Sequence, residues 1–446
     1  MPEVHPRYTD LSASSNSAKL RRARTNEGKG MVRARSTHRE AIVDAATELF
    51  HRQGFSRTTT DQIAAGAQIT KRTLYRYFDS KESLLLAIHE QFLERLLQPI
   101  DLRGTPRERF RLLIENYVQT VIEHGDQIRV FFEERKNLSL ENAEKVVNLR
   151  DGHEKLFRET LAEGTSAGDF RTFDVPLTAE GVLGAIASLY QWYDPEKWLA
   201  PTDVVAVISG LFLDGLAHTA ATARPIVRRR RGSAPGPARP ARHGDPRAIV
   251  EAAELLWAEN PVLTKILDTA AAMFYDRGYD NTNTRELADG AGLTKSALYY
   301  YIPNKEAVLY QLNLRLTVQG LSIERELVEA HPDPVAALRA IIEWQSKSVA
   351  ENLGALRALS IEMRFLDPGH YDQIQVVRSE YAGLFTDVVK AASGTWAVPK
   401  LARPVALIIL GMVNFMNHWY TPDGRLTAEQ IGTEFFDLVW HGVARS

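Results

Sequence analysis

The stretch "TTTDQIAAGAQITKRTLYRYFDSKESLL" (58–85) sets the architecture of this chain, because the chain repeats it as "TNTRELADGAGLTKSALYYYIPNKEAVL" (282–309). The two copies align without a gap, and Gly54 corresponds to Gly278. A repeat this long in a chain of 446 residues indicates an internal duplication. We therefore expect two copies of one structural unit.

The ends of the two halves also match. The segment "QWYDPEKWLAPTDVVAVISGLFLDGL" (191–216) aligns with "HWYTPDGRLTAEQIGTEFFDLVWHGV" (418–443), so that Gly215 corresponds to Gly442. The two halves are joined by "RPIVRRRRGSAPGPARPARHGDP" (224–246), whose Pro, Gly and Arg content is typical of an extended linker.

The apolar spacing in each repeat predicts helices rather than β-strands. A first helix is expected over 37–53, with Gly54 as its left-handed cap. Thr60, Thr70 and Ser80 are predicted to cap the second, third and fourth helices. Two short helices joined by a tight turn and supported by a first helix form a helix-turn-helix.

The third helix has an unusual polar surface for a core helix. Leu74 and Phe78 are predicted to face inward. The other positions present hydrogen-bond donors and aromatic edges: Lys71, Arg72, Thr73, Tyr75, Arg76 and Tyr77. A short helix with a polar first turn is suited to the major groove of DNA.

Both phrases resemble the DNA-binding signature of TetR-family transcriptional regulators, "TxxxIA…AGVsxgTlYxYFxsKexL". The second copy departs from it at Ile302 and Pro303, and the proline is expected to shift the start of the fourth helix. The resemblance implies an all-α fold with two tandem units. Each unit would have a three-helix DNA-binding head and a helical ligand-binding and dimerisation domain, and the two would form an intrachain pseudo-dimer.

The resemblance also implies which residues contact DNA. Thr60 and Thr284 would cap the second helices beside phosphate, and Lys81 and Lys305 would contact phosphate. The tyrosines Tyr75, Tyr77, Tyr299 and Tyr301 would contact phosphate or support the recognition helix. The remaining implied DNA-binding positions lie on or next to the base-facing turns: Thr70, Lys71, Arg72, Thr73, Arg76, Thr294, Lys295, Ser296, Ala297 and Tyr300.

Six segments follow from this reading. They are a disordered basic arm (1–35), a first DNA-binding domain (36–84), a first ligand-binding domain (85–222), a linker (223–247), a second DNA-binding domain (248–308) and a second ligand-binding domain (309–446). The arm is rich in Arg and Lys, and the linker is rich in Arg. Such runs fit a solvated tail and a flexible arm attracted to phosphate equally well.

The ligand-binding segments resemble the TetR subgroup that senses acyl-CoA or related lipid thioesters. The resemblance rests on "EGTSAGDFR" (163–171) and on the "WY-x-P-[DE]" segment, and the second half has "AASGTWAV" (391–398) in place of the former. It implies a hydrophobic or acyl-CoA-like effector. Pocket candidates are aromatic and arginine side chains: Phe131, Arg135, Arg150, Phe157, Tyr190, Trp192, Arg364, Phe365, Arg378, Phe385, Phe415 and Trp419.

Composition excludes several functions. The absence of cysteine excludes disulfides, thiol catalysis and cysteine-ligated zinc, and it suits a reducing cytosol. "GTSAG" (164–168) fits a hydrolase nucleophile motif, but a helix instead of a strand precedes it. Histidines lack ligand spacing, and no run is apolar enough to span a membrane. We expect a cytoplasmic non-enzyme without metal or cofactor.

Two other functions remain compatible with the sequence. One is a DNA-binding architectural protein or co-regulator that does not respond to a ligand. The other is an acyl-ligand-binding protein or enzyme on a degenerate regulator scaffold. Binding to duplex DNA that weakens with salt would distinguish either kind of DNA-binding protein from the acyl-ligand-binding protein. Release of DNA on ligand binding would distinguish a ligand-responsive regulator from the architectural protein.

Overall fold

The structure, a computed structural model, describes residues 38–196, 199–222, 244–279, 281–363, 366–393 and 401–442. Side chains are described for these residues except 216–222, 275 and 358–362. The predicted basic arm and most of the predicted linker lie outside the described residues.

All regular elements of the described residues are helices, and the predicted all-α fold is confirmed. None of the described helices is long and apolar enough to cross a membrane. The chain divides into two packing units. The first comprises Met1–Phe92 with Arg129–Val146, and the second comprises Leu93–Ile128 with Val147–Ser446.

The first packing unit contains the first head. Helix α1 spans 38–53 and is followed by α2 (Thr60–Gly66), α3 (Lys71–Tyr75) and the start of α4 (Lys81–Leu96). Gly54 ends α1 with a φ of 79°, as its sequence position predicts. The apolar faces of these helices meet in one core that includes Ile42, Ala46, Phe50, Ile63, Leu74 and Leu84.

The caps of the second helices differ from the predicted ones by one residue. Thr59, not Thr60, precedes α2 in an extended conformation, and its side chain accepts a hydrogen bond from the backbone N–H of Gln62. The side-chain oxygen of Gln62 in turn accepts a hydrogen bond from the backbone N–H of Thr59, which completes a capping box. In the second copy Asn283, not Thr284, has the same position. Three consecutive threonines precede α2, so the sequence alone leaves the capping residue ambiguous. Gln62 lies three residues after Thr59, which is the spacing of a capping box.

The other helices belong wholly or partly to the second packing unit. In the first half of the chain they are α5 (Pro106–Glu123), α6 (Gly125–Glu133), α7 (Leu140–Ala167), α8 (Val175–Ala187), α9 (Leu189–Trp192) and α10 (Pro201–Thr222). A 3₁₀ turn, Arg135–Asn137, lies between α6 and α7.

The second half contributes ten further helices among its described residues. They are α11 (Pro246–Glu259), α12 (Pro261–Arg277), α13 (Thr284–Ala291), α14 (Lys295–Tyr301), α15 (Lys305–Ala330), α16 (Pro334–Glu351), α17 (Leu353–Glu362), α18 (Pro368–Ala392), α19 (Ala402–Asn414) and α20 (Ala428–His441). A 3₁₀ turn, Phe415–His418, follows α19.

Two features of the second head depart from expectation. Helix α11 precedes the head and begins at Pro246, so the last predicted linker residues are helical. Pro303 does not shift the fourth helix, because α15 begins at Lys305, which corresponds to Lys81 at the start of α4. Asn304 caps α15 by accepting from the N–H of Ala307. The proline lies before this cap and removes no helical hydrogen bond.

The last helices of the two halves pack on each other within the second packing unit. Helix α8 packs against α19, and α10 packs against α20. Gly215 and Gly442 occupy corresponding positions with φ values of 67° and 66°. A Cβ atom on Gly442 would lie 2.5 Å from the backbone nitrogen of Gly215, so both sites need glycine for their conformation and for close approach.

Candidate nucleic-acid interface and ligand sites

The recognition helix α3 is held by its cap and by one buried side chain. Thr70 is extended and accepts from the N–H of Thr73, while Leu74 is fully buried in the head core. Helix α14 repeats this arrangement with Thr294, Ala297 and Leu298. Each helix therefore presents its first turn and one face to solvent.

A tyrosine on each recognition helix lies next to a threonine on the preceding helix. The hydroxyls of Tyr75 and Thr60 are 3.4 Å apart, and those of Tyr299 and Thr284 are 3.1 Å apart. Both tyrosines remain exposed. Each head therefore has two adjacent hydroxyls of the kind that contact DNA phosphate.

The two heads differ in charge beside the recognition helix. Lys71 donates to Asp61 at 2.9 Å, and this hydrogen bond raises the pKa of the lysine. Arg285 replaces Asp61 in the second head, where the Lys295 ammonium lies 5.8 Å from the Tyr299 ring centroid. This exchange of Asp61 for Arg285 is visible in the alignment of the two repeats, but it was not predicted to matter.

The base-facing positions also differ between the heads. Arg72 and Arg76 are exposed on the first head, and the corresponding Ser296 and Tyr300 are exposed on the second. Tyr300 is 84% exposed. Thr73 and Ala297 are half-buried on their helices.

Tyr77, two residues after α3, and Tyr301, the last residue of α14, each lie against the core of their head. This burial fits the supporting role among the two roles expected for them.

Lys81 is engaged inside the protein. Its ammonium donates to the carbonyls of Phe55 (2.6 Å) and Thr58 (2.9 Å) and lies 4.3 Å from the Phe55 ring centroid. Burial lowers the pKa of this lysine. Lys305 is similar in lying 4.0 Å from the centroid of Tyr279. These contacts hold the loop after the first head helix, and phosphate contact by the two lysines stays a prediction.

Two of the predicted pocket residues belong to the first packing unit. Phe131 is buried against the rings of His89 and Phe92, at centroid distances of 4.9 and 5.4 Å. His89 is fully buried, and burial lowers its pKa to about 4. Arg135 begins the 3₁₀ turn and is half-buried. Packing accounts for the position of Phe131.

A polar cluster surrounds Arg150 in the second packing unit. Burial and the neighbouring Glu154 raise the pKa of Glu180 to about 7, and Arg150 opposes this shift. Arg158 pairs with Glu154. The ring centroids of Tyr117 and His153 are 4.9 Å apart. Burial also raises the pKa of Glu154. Two carboxyls with raised pKa values distinguish this cluster from a plain apolar core, and Glu154 and Glu180 were not predicted.

Phe157 borders this cluster, and Tyr190 lies near enough to Tyr117 to contribute, with burial and Glu180, to the raised pKa of that tyrosine. Phe157 is fully buried, with its ring 6.1 Å from Phe110 and 5.3 Å from His153. Tyr190 is half-buried, and its hydroxyl accepts from Gln191. Trp192 lines a shallow apolar crevice that is formed with Tyr193, Leu199, Val204, Val207, Pro404 and Ile408. This crevice includes side chains from both halves of the chain.

The second-half candidates are dispersed. Arg364 and Phe365 lie outside the described residues. Arg378 donates to the side-chain oxygen of Asn313 at 3.3 Å, and Phe385 is fully buried. Phe415 lies over Gly184 of the first half, and the Trp419 ring centroid is 6.5 Å from that of Phe435. Packing explains the burial of these aromatics, and their role in ligand binding stays a prediction.

A buried acid in the second half was also missed. Glu324 on α15 has no solvent exposure, and neither of its carboxyl oxygens has a hydrogen-bond partner. Burial raises the pKa of Glu324 to about 9, so the side chain is a neutral acid at pH 7. The residue at the corresponding position of the first half is Ile100, so the duplicated pattern gave no sign of it.

Two family profiles each match the chain twice. The profile described as "Bacterial regulatory proteins, tetR family" matches 42–88 and 266–312. The profile described as "Tetracyclin repressor-like, C-terminal domain" matches 103–216 and 331–443. The duplication predicted from the sequence is thus confirmed.

Curated relatives match about one half of the chain at a time. The fatty acid metabolism regulator protein of Bacillus subtilis is 27% identical over 150 residues, which are 32% of this chain and 77% of the relative. The transcriptional repressor KstR2 of Mycobacterium tuberculosis is 24% identical over 185 residues, which are 41% of this chain and 92% of the relative.

Solved structures are similar over the same extent. A tetR-family regulatory protein from Rhodococcus RHA1 is 26% identical, with a TM-score of 0.37 over 39% of this chain and 94% of that one. AibR, solved with isovaleryl coenzyme A and operator DNA, is 23% identical, with a TM-score of 0.37 over 39% of this chain and 96% of AibR.

Proposed function

Because the chain belongs to the TetR family of bacterial regulatory proteins, we propose that it is a transcriptional repressor whose single chain supplies both DNA-reading heads. The observation that carries this proposal is the presence of two capped recognition helices, α3 and α14, with their first turns exposed. The adjacent hydroxyl pairs of the two heads fit phosphate contact at both ends of one operator.

The contact between the last helices supports pairing within one chain. Isologous dimers bury the same surface of two identical subunits, so equivalent residues meet near the two-fold axis. Gly215 and Gly442 are equivalent in the repeat and lie against each other. In this proposal the two halves form a pseudo-dimer in which α8 and α10 take the place of one subunit, and α19 and α20 take the place of the other.

We extend the proposal to a hydrophobic or acyl-CoA-like effector that releases the operator. The relative that regulates fatty acid metabolism and the "GDFR" resemblance support this class. Arg150 lies in a mixed polar and aromatic region with Phe157, which suits an anionic head group joined to an apolar chain. Binding would favour the conformation with weaker DNA affinity.

Selection of bound DNA from a random pool tests whether the protein binds a specific duplex sequence. The selected duplex then serves to test whether an effector weakens DNA binding. We expect binding that weakens steeply with salt, as phosphate contacts require. A panel of acyl-CoAs should raise the thermal stability of the full chain and weaken operator binding. Arg150→Ala should reduce the response to the effector, and Lys155→Ala, an exposed position on the same helix, is the matched control.

The outcomes separate the alternatives. Duplex binding without any response to the panel would favour an architectural protein and refute the effector class. Acyl-CoA binding without salt-sensitive duplex binding would refute the regulator and favour a ligand-binding protein on this scaffold.

A further inference from the structure

The contact between the two halves contains two ion pairs. Arg171 donates from Nε to the carbonyl of Gly442 (2.6 Å) and lies 2.5 Å from Oδ2 of Asp437. Arg425 binds Asp174 through two bonds of 2.5 and 2.8 Å. Bidentate pairs of this kind have a defined geometry as well as favourable energy.

Neither ion pair has a counterpart at the equivalent place in the repeat. Residues of the first half correspond in this region to residues 227 positions later, as Gly215 does to Gly442. The four charged residues Arg171, Asp174, Asp437 and Arg425 therefore correspond to Val398, Leu401, Gly210 and Trp198. All four of the latter are uncharged.

The same contact is asymmetric in shape. A Cβ atom on Gly181 would lie 2.9 Å from Cε1 of Phe435, so the ring fills the space that the glycine leaves. The equivalent residues are Ile408 and Ile208. One side of the contact thus joins a large side chain to glycine, and the equivalent positions on the other side both carry isoleucine.

We propose that these residues make the contact heterotypic, so that each half accepts the other half and rejects a second copy of itself. Two first halves would leave Arg171 and Asp174 without partners on both sides, together with a cavity at Gly181. Two second halves would place Phe435 against Ile408 on both sides. They would also remove the arginine partner of Asp437, which would keep only His441, and the aspartate partner of Arg425. Unpaired charges and overpacking both oppose such assemblies.

This inference rests on the proposed pairing within one chain. Its consequence is that every assembly carries one head of each kind, the arginine-bearing first head and the serine-bearing second head. A tethered chain needs no discrimination to find its own other half, so the discrimination acts against like halves of neighbouring chains.

Native mass spectrometry after cleavage of the linker tests the inference. A protease site placed at 232–238 of the full chain allows cleavage of the folded protein, and the halves differ in mass. After equilibration we expect the mixed species to exceed the statistical 1:2:1 distribution at least about tenfold. A statistical distribution in the wild-type protein would overturn the proposal.

Charge reversal provides the matched variants. Asp174→Arg and Arg425→Asp should each reduce the mixed species, and the double variant should lose less than the sum of the two. Recovery is incomplete because Asp174 also caps α8 by accepting from the N–H of Leu177. Uncleaved full-length chains provide a second readout, since each single variant should lower the melting temperature and the double variant should again lose less than the sum. Additive losses in the double variant would overturn the proposal. Operator binding is measured separately, so a failure of the proposed function leaves these results interpretable.

Discussion

Arg72 is an exposed side chain on the recognition helix at which the two heads differ in hydrogen-bonding capacity. An arginine can donate two bonds to guanine, worth about 1–3 kcal/mol of discrimination, whereas the serine at position 296 cannot. We predict a non-palindromic operator in which Arg72→Ala removes guanine preference at one half-site. Titrations against operators mutated in either half measure this loss.

Ser296→Ala is the control for this prediction, because it changes the equivalent position without removing an arginine. It should alter affinity for both half-sites little. A palindromic selected site, or equal losses at both half-sites for Arg72→Ala, would contradict the predicted asymmetry.

Glu324 should make stability depend on pH. Its pKa is about 9 in the folded chain and close to 4.5 when unfolded, so unfolding releases a proton between these values. The folded pKa is the higher one, and stability is therefore fully present below pH 4.5 and lost as pH rises toward 9. We predict that Glu324→Gln raises the free energy of unfolding by about 1–3 kcal/mol at pH 8.

Denaturant unfolding at pH 5 and pH 8 measures this effect. At pH 5 the glutamine variant should resemble the wild-type protein. The exposed Glu326→Gln on the same helix is the control and should show no such difference. A destabilised Glu324→Gln at pH 8 would show that the carboxyl is ionised and partnered in solution.

At the scale of elements, the cap of α2 gives a test of the local assignment. Thr59→Ala removes the capping box and should lower the free energy of unfolding by about 1 kcal/mol. Thr60→Ala should cost less, because that hydroxyl has only the 3.4 Å contact with Tyr75. Chemical denaturation of both variants measures the difference, and a larger loss for Thr60→Ala would contradict the assignment.

Elements with strong local signals were predictable from the sequence, and long-range partners were not. Thr70 and Leu74 of α3 carry a cap and an apolar position that local spacing reveals. The ammonium of Lys81 binds carbonyls more than twenty residues away, which no local pattern indicates. Phe415 looked like a pocket residue because aromatics line pockets and interfaces alike, and its position over Gly184 depends on how the halves pack.

At the scale of the whole molecule, the duplication explains why one chain carries two DNA-reading phrases. A TetR-type homodimer must read its operator with identical heads, whereas a duplicated chain can let them diverge. The exchanges of Asp61 for Arg285 and of Arg72 for Ser296 lie on or beside the recognition helices. A linker of roughly 25–30 residues spans up to about 80–100 Å when extended, which is ample for pairing within one chain.

Sedimentation of the complex between the full chain and its selected operator tests the central claim most directly. Pairing within one chain is favoured by effective concentrations that reach about the millimolar range for flexible tethers. We predict a complex of one chain per operator, with both half-sites protected and recognition helices about 34–36 Å or somewhat more apart. A minimal complex of two chains per operator, with no one-chain complex at any concentration, would contradict the account.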